Sequence, residues 1–281
     1  LITAIKYGLA PIAIVMNNGT TGMLERLEGR PAEYYDLGRL DHAAFAASLA
    51  AFYEKIPVAH IEAGLRTGNI YAPWPEALNR RLISAAATLH FAPTAGARKN
   101  LLGEGVADER IFVTGNTVVD ALLDLVKHLR KDAALRNRLA AAFPLLDSAR
   151  KLILVTGHRR ENFGPGLEAV CRALRTLGRR NDVQIAYVIH PNPHVQDTVI
   201  RFLAGQPNIL LLPSLEYLPF VYLMERAYLI VTDSGGVQEE APSLGKPVLV
   251  TRDATERPEA VEAGTVQLVG AIAKEIFQRV H

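Results

Sequence analysis

The feature that most restricts the fold is a repeated alternation of short apolar runs with longer amphipathic segments. Runs at 12–16, 57–61, 89–92, 111–114, 152–156, 183–189, 209–212, 229–232 and 248–250 are too short for helices and read as strands buried on both faces. Helical periodicity fills the intervals at 43–53, 79–88, 95–104, 118–129, 133–142, 167–177, 217–226 and 237–244. Strand and helix in alternation imply an α/β fold with parallel sheets joined by crossover helices. A length of 281 residues with 49% hydrophobic content suits two domains. The helical, charge-speckled stretch 118–150 separates two alternating blocks and reads as the connection between domains at 1–117 and 151–281.

The charges exclude several kinds of partner. With 31 basic and 29 acidic residues the net charge is only +2, and no run of like charges suggests a nucleic-acid or membrane face. A small-molecule ligand is the expectation. No apolar stretch has the length of a membrane span, and the first residues lack a signal-peptide pattern. Cys171, the single cysteine, lies in a helical pattern and has no partner for an internal disulfide, which points to a reducing, cytoplasmic setting with Cys171 as core filler.

The densest chemical signal is the segment 232–242, Thr-Asp-Ser-Gly-Gly-Val-Gln-Glu-Glu-Ala-Pro, placed after an apolar run and before a helical one. A Ser-Gly-Gly turn there, Ser234 to Gly236, lets backbone approach a ligand closely, and first-turn amides attract phosphate. Glu240 is spaced to take ribose hydroxyls. The motif alone is equally compatible with a tight strand-to-helix turn carrying a solvated acidic face.

Three further loops fall at expected carboxyl ends of strands, where ligands bind in open α/β sheets. The first, 60–76, carries Glu62 and Glu76, separated by prolines and glycines, so they meet only if the loop folds back. Two carboxylates in a cleft divide acid and base roles; alternatively Glu62 pairs with Arg66 and Glu76 caps the next helix. The second, 157–162, presents His158 and Arg159, suited to a diphosphate or to a solvated turn. The third, 189–194, presents His190 and Asn192 from a loop stiffened by prolines, with no zinc-like spacing. Phe220 offers either a base-stacking surface or core packing.

These residues sit in long motifs, HIEAGLRTG, PWPE, HFAPT, IFVTGNTVVDAL, ILVTGHRREN, EYLPF, LIVTDSGGVQEEAPSLGKPVLV and TERPEAVEAGT, that resemble the non-hydrolysing UDP-N-acetylglucosamine 2-epimerases from about residue 45 to 270. The resemblance implies two Rossmann-like domains facing across a cleft, as in GT-B glycosyltransferases, with the nucleotide mainly on the second. It assigns catalytic roles to Glu62, Glu76 and His158. Nucleotide-sugar contacts fall to Arg159, His190, Asn192, Phe220, Ser234, Gly235, Gly236, Glu240 and Arg257. It implies elimination of UDP to 2-acetamidoglucal and readdition, with UDP-N-acetylglucosamine and UDP as ligands, no metal or organic cofactor, and a homodimer. A glycosyltransferase of the same architecture is the competing enzyme, and a UDP-binding protein without turnover the competing non-enzyme.

Departures accompany the matches. The family's early lysine-bearing loop has no counterpart, Leu40 stands where an aspartate is expected, with Asp41 beside it, and Ala77 replaces a second glutamate. The first domain is therefore expected to be incomplete. Residues 1–47, with Asn17-Asn18-Gly19, weakly resemble a segment of thiamine-diphosphate enzymes; the partner motif of that segment is absent.

Overall fold

The computed structural model describes residues 13–16, 48–73, 76–159, 162–272 and 276. Two compact units divide the chain, Leu1–Thr117 and Val118–His281. The segment resembling thiamine enzymes lies outside the described residues except for 13–16, and Leu40 and Asp41 lie outside them too.

In the first unit, β1 (Ala13–Met16), β2 (Val58–Ile61), β3 (Leu89–Ala92) and β4 (Ile111–Val113) form one parallel sheet in chain order. Residues 48–53 are helical, followed after β2 by α1 (Glu76–Ala86) and α2 (Ala95–Gly103). Ala51, Val58, Ile83 and Ala87 form one small core and Ala63, Ala92, Ala97, Leu101 and Ile111 another. Thr94 starts α2 by accepting the Ala97 amide at 3.0 Å, satisfying one of the first-turn N–H groups.

The second unit is built on β5 (Lys151–Gly157), β6 (Val183–Ile189), β7 (Ile209–Leu212), β8 (Leu229–Thr232), β9 (Val248–Val250) and β10 (Val266–Leu268). All are parallel, in the order β10-β9-β8-β5-β6-β7. That is the strand order of the doubly wound dinucleotide-binding sheet, with its reversal between β5 and β8. Strand pleating sends alternate residues to opposite faces. Ile153 and Val155 pack under α5 (Pro165–Leu177) and α6 (Pro193–Leu203). Leu152 and Leu154 pack under α3 (Thr117–Lys131), α4 (Ala133–Ala142), α7 (Tyr217–Arg226) and α8 (Val237–Ser243). The stretch 118–150, expected as a connection, thus supplies Leu122, Val126, Leu129, Leu139 and Phe143 to one face of this sheet. Cys171 is fully buried, and burial pushes its thiol up to about 12, which suits the expected filler role.

Three elements escape the sequence reading: α6, α9 (Pro258–Glu262) and β10. At α6 the prolines expected to stiffen a loop instead start a helix. Pro193 occupies its first turn, where a missing N–H costs nothing, and Asn192 caps it by accepting the His194 amide at 3.0 Å.

Candidate functional site

In the second unit the sheet reversal opens the carboxyl ends of β5 and β8 side by side. Thr156 and Thr232 are register partners there, with hydroxyl oxygens 2.7 Å apart. The Thr232 hydroxyl also accepts the Ser234 amide at 3.0 Å, setting the start of the Ser-Gly-Gly turn. Gln238 donates to the Ser234 carbonyl at 3.1 Å and accepts from Thr255 at 2.5 Å, so α8 and the 255–257 loop hold the turn from behind.

Arg257 completes that support. Its side chain is buried, its Nε donates to Glu239 and its Nη1 donates to Glu256 at 3.2 Å. A Cβ on Gly235 would stand 2.8 Å from Arg257 Nη1, so glycine is what lets the guanidinium lie against the turn. Arg257, expected from the sequence to contact ligand, packs against the Ser-Gly-Gly turn and is shared by two carboxylates.

Asp233 ties the His158 loop to the Ser-Gly-Gly turn. It is 1% exposed and accepts the His158 amide through Oδ1 at 3.1 Å and Oδ2 at 3.0 Å, and the Arg159 amide through Oδ2 at 2.9 Å. Asn162 bridges the same Oδ2, at 3.3 Å, and the Thr251 carbonyl, at 2.9 Å. Gly157 leaves the room: a Cβ there would be 3.1 Å from the Tyr187 hydroxyl and 3.7 Å from Asp233 Oδ2.

His190 stacks on His158 with ring centres 5.0 Å apart and planes 16° from parallel. Its Nδ1 accepts the Asn192 amide at 3.1 Å. Burial first, and the His158 charge next, lower His190 to about 4, with Asp233 opposing, so it stays neutral near pH 7. Glu240 is 1% exposed and accepts the Tyr217 hydroxyl at 2.6 Å. Burial and then the Glu240 charge push that hydroxyl well above its ordinary range, keeping it a donor. Phe220, one turn further along α7, is half-buried against the core. His158, Arg159, His190, Asn192, Ser234, Gly235, Gly236, Glu240 and Arg257 therefore all belong to this unit.

In the first unit Glu62 follows β2 with φ of 63°, a left-handed conformation that costs an ordinary side chain about 1 kcal/mol or more and clusters at functional positions. It is 5% exposed, and Oε1 accepts Asn116 Nδ2 at 2.7 Å. Gly64, with φ of +88°, packs so tightly that a Cβ would lie 2.2 Å from the Ala97 carbonyl oxygen. Arg66 forks onto Glu104 at 2.8 and 2.7 Å. Between Thr67 and Ala72 the chain forms a turn: the Ala72 amide donates to the Asn69 carbonyl at 3.1 Å, and Thr67 donates to the Ala72 carbonyl. Glu76 lies in the first turn of α1, which begins three residues before the expected start; the dipole there favours a carboxylate. His60 and His90 are buried register partners on β2 and β3, ring centres 6.4 Å apart.

Sequence reasoning gave no role to Asp233, Asn116, Gln238 or Glu256, and offered Tyr217 only as an aromatic for base stacking. Only Asp233 carried a usable signal, a charged residue just past the carboxyl end of a strand. Among the described residues no group of three His, Cys, Asp or Glu side chains is placed to hold a metal, and no helix is long and apolar enough to cross a membrane.

A parallel sheet of this strand order, with two glycine-bearing loops converging at its reversal, defines a doubly wound α/β unit. The family model for UDP-N-acetylglucosamine 2-epimerase matches residues 41–281, and the chain belongs to that family. It is 57% identical over 236 residues to the UDP-N-acetylglucosamine 2-epimerase of Escherichia coli K12, covering 84% of this chain and 63% of that one. To a probable enzyme of the same name from Ralstonia solanacearum it is 58% identical over 226 residues, covering 80% and 60%. Among solved structures, the Neisseria meningitidis epimerase bound to UDP-GlcNAc superposes with a TM-score of 0.82 at 50% identity, covering 84% of this chain and 64% of that one. The Methanocaldococcus jannaschii epimerase in complex with UDP-GlcNAc and UDP gives 0.74 at 36% identity, with coverage of 84% and 64%. The chain spans about three fifths of the length of these curated relatives.

Proposed function

We propose that this chain serves the interconversion of UDP-N-acetylglucosamine and UDP-N-acetylmannosamine by elimination and readdition of UDP. The observation that carries the reading is the convergence, at the strand reversal of a unit lying wholly within the family match, of the Ser234–Gly236 turn, the His158 loop and the buried Glu240. The turn takes the diphosphate, Glu240 the ribose, and Phe220 the vicinity of the base. Arg159, His190 and Asn192 complete the anion side.

The chemistry explains the remaining groups. Carbon 2 of the sugar bears an amide nitrogen and has no neighbouring carbonyl, so its proton does not leave as an enolate would allow. A carboxylate, Glu62 or Glu76, takes that proton; the C–H electrons form the C1–C2 double bond, and the C1–O bond breaks with its pair on the UDP oxygen. His158 protonates that oxygen as it departs. Return of a proton to the opposite face, with UDP adding back at C1, completes the inversion.

Incubation with UDP-N-acetylglucosamine in deuterated water tests this, because elimination and readdition exchange the carbon 2 hydrogen. Deuterium at carbon 2 of both epimers is expected. Leu40, standing where the resemblance expects an aspartate, favours one other reading, a UDP-binding protein without turnover. UDP affinity with no carbon 2 exchange establishes that reading and removes the first.

A further inference from the structure

We propose that Asp233 is a positioning residue for His158, holding its Nδ1–H so that Nε2 is the nitrogen that exchanges a proton with the ligand. The inference rests on the epimerase reading for its chemical purpose and on geometry for its substance.

Asp233 is a carboxylate at 1% exposure, which is tolerable only where donors surround it. Two consecutive amides, those of His158 and Arg159, and the Asn162 side chain supply them. The carboxylate is thereby fixed in place, with Oδ1 at an ion-pair distance of 3.5 Å from His158 Nδ1. The same residue whose carboxylate fixes the backbone of the histidine also faces the ring, so loop position and ring orientation share one anchor. An imidazole with Nδ1–H directed at a fixed carboxylate has Nε2 left to give or accept a proton, the division of labour that triads use.

The neighbouring ring fits this assignment. His190 lies against His158 at 5.0 Å with Nδ1 committed to the Asn192 amide, so a second charge on the stack would be repelled and a single proton belongs to the member beside the carboxylate. In the forward step the Nε2 proton passes to the UDP oxygen that receives the C1–O electron pair, leaving the neutral Nδ1–H form. Readdition of UDP returns it. Asp233 also adjoins Ser234 in the chain, so the anchor of the acid and the ligand turn move together.

The test combines nitrogen-15 NMR of histidine-labelled protein, His158→Gln serving for assignment, with kinetics of Asp233→Asn. In the parent, the neutral His158 ring is expected as the Nδ1–H tautomer; the Nε2–H tautomer with bare Nδ1 overturns the proposal, and this measurement needs no Asp233 variant. In Asp233→Asn the His158 titration moves to lower pH and kcat falls about tenfold or more while KM changes much less. An unmoved titration, with losses tracking thermal stability and UDP affinity alone, assigns Asp233 a purely structural role and also overturns it. Failure of the parent to exchange the carbon 2 hydrogen counts against the epimerase reading; the tautomer and titration are read without turnover and judge Asp233 separately.

Discussion

Gly235→Ala isolates the close contact between the Ser234–Gly236 turn and Arg257. Gly235 does not have a positive φ, so alanine carries no backbone penalty there, and the three atoms nearest the added methyl all belong to the Arg257 guanidinium. The nearest approach is 2.8 Å against an ordinary contact beginning near 3.4 Å, so the guanidinium must retreat by about 0.6 Å. It has no slack: Nε is bound to Glu239, and Nη1 at 3.2 Å from Glu256 is already at the long end of a hydrogen bond. Losing one charge-assisted bond costs about 1.5–3 kcal/mol, and leaving a buried carboxylate without its cation costs about 3–5 kcal/mol. A net loss of about 2–4 kcal/mol follows, which at about 2–4 °C per kcal/mol lowers the melting temperature by roughly 5–15 °C. UDP affinity falls with it, because the turn loses its backing. Thermal melting with and without UDP, and calorimetric titration with UDP, measure both. Gly103→Ala, whose added methyl meets nothing within 4 Å, is the neutral control. A melting temperature and UDP affinity for Gly235→Ala equal to the parent's would show that Arg257 is not held as described.

Glu240→Ala and Tyr217→Phe both weaken UDP binding, the first by about 1–3 kcal/mol through lost hydrogen bonds to the ribose; calorimetry that finds parental affinity for Glu240→Ala rejects the ribose assignment. Glu62→Gln and Glu76→Gln keep UDP affinity and abolish carbon 2 exchange, whereas melting temperatures that fall while exchange persists would make both carboxylates structural. The first unit loses stability in acid. Burial first, then the charges of His90, Arg66 and Arg80, lower His60 from 6.5 to about 3, so below pH 6.5 the unfolded chain binds a proton the folded unit refuses. Stability complete above pH 6.5 declines towards pH 3 by up to about 1.4 kcal/mol per pH unit. Urea unfolding followed through Trp74, the single tryptophan, at pH 7 and pH 5 measures it, and an equal decline in His60→Leu would locate the effect elsewhere.

The strands were legible because a doubly wound sheet buries both strand faces, and apolar runs such as 183–189 have no other use in a chain of this composition. Helix α6 was hidden by Pro193, whose preference for a first helical turn looks in sequence like a loop residue. The candidate site was legible as loops at strand ends, and Ser234 to Gly236, His158 and Glu240 follow from that rule. What lies beneath the loops was not. The hold of Asp233 on the His158 amide joins residues 75 apart in sequence, and that of Arg257 on Glu239 joins residues 18 apart; neither pairing follows from composition or period. The αL conformation of Glu62 was equally invisible, since nothing in a glutamate announces it.

The seam between the units falls after the first residue of α3, and this bears on how such a chain can be recombined. Leu122, Val126, Leu129, Leu139 and Phe143 belong to the second sheet, so a crossover at residue 151 would strip one face of that sheet and leave its apolar surface bare. A crossover between Thr117 and Val118 transfers the sheet with both coverings and with every group of the ligand turn and its supports. The second unit is therefore the piece that such a crossover moves whole.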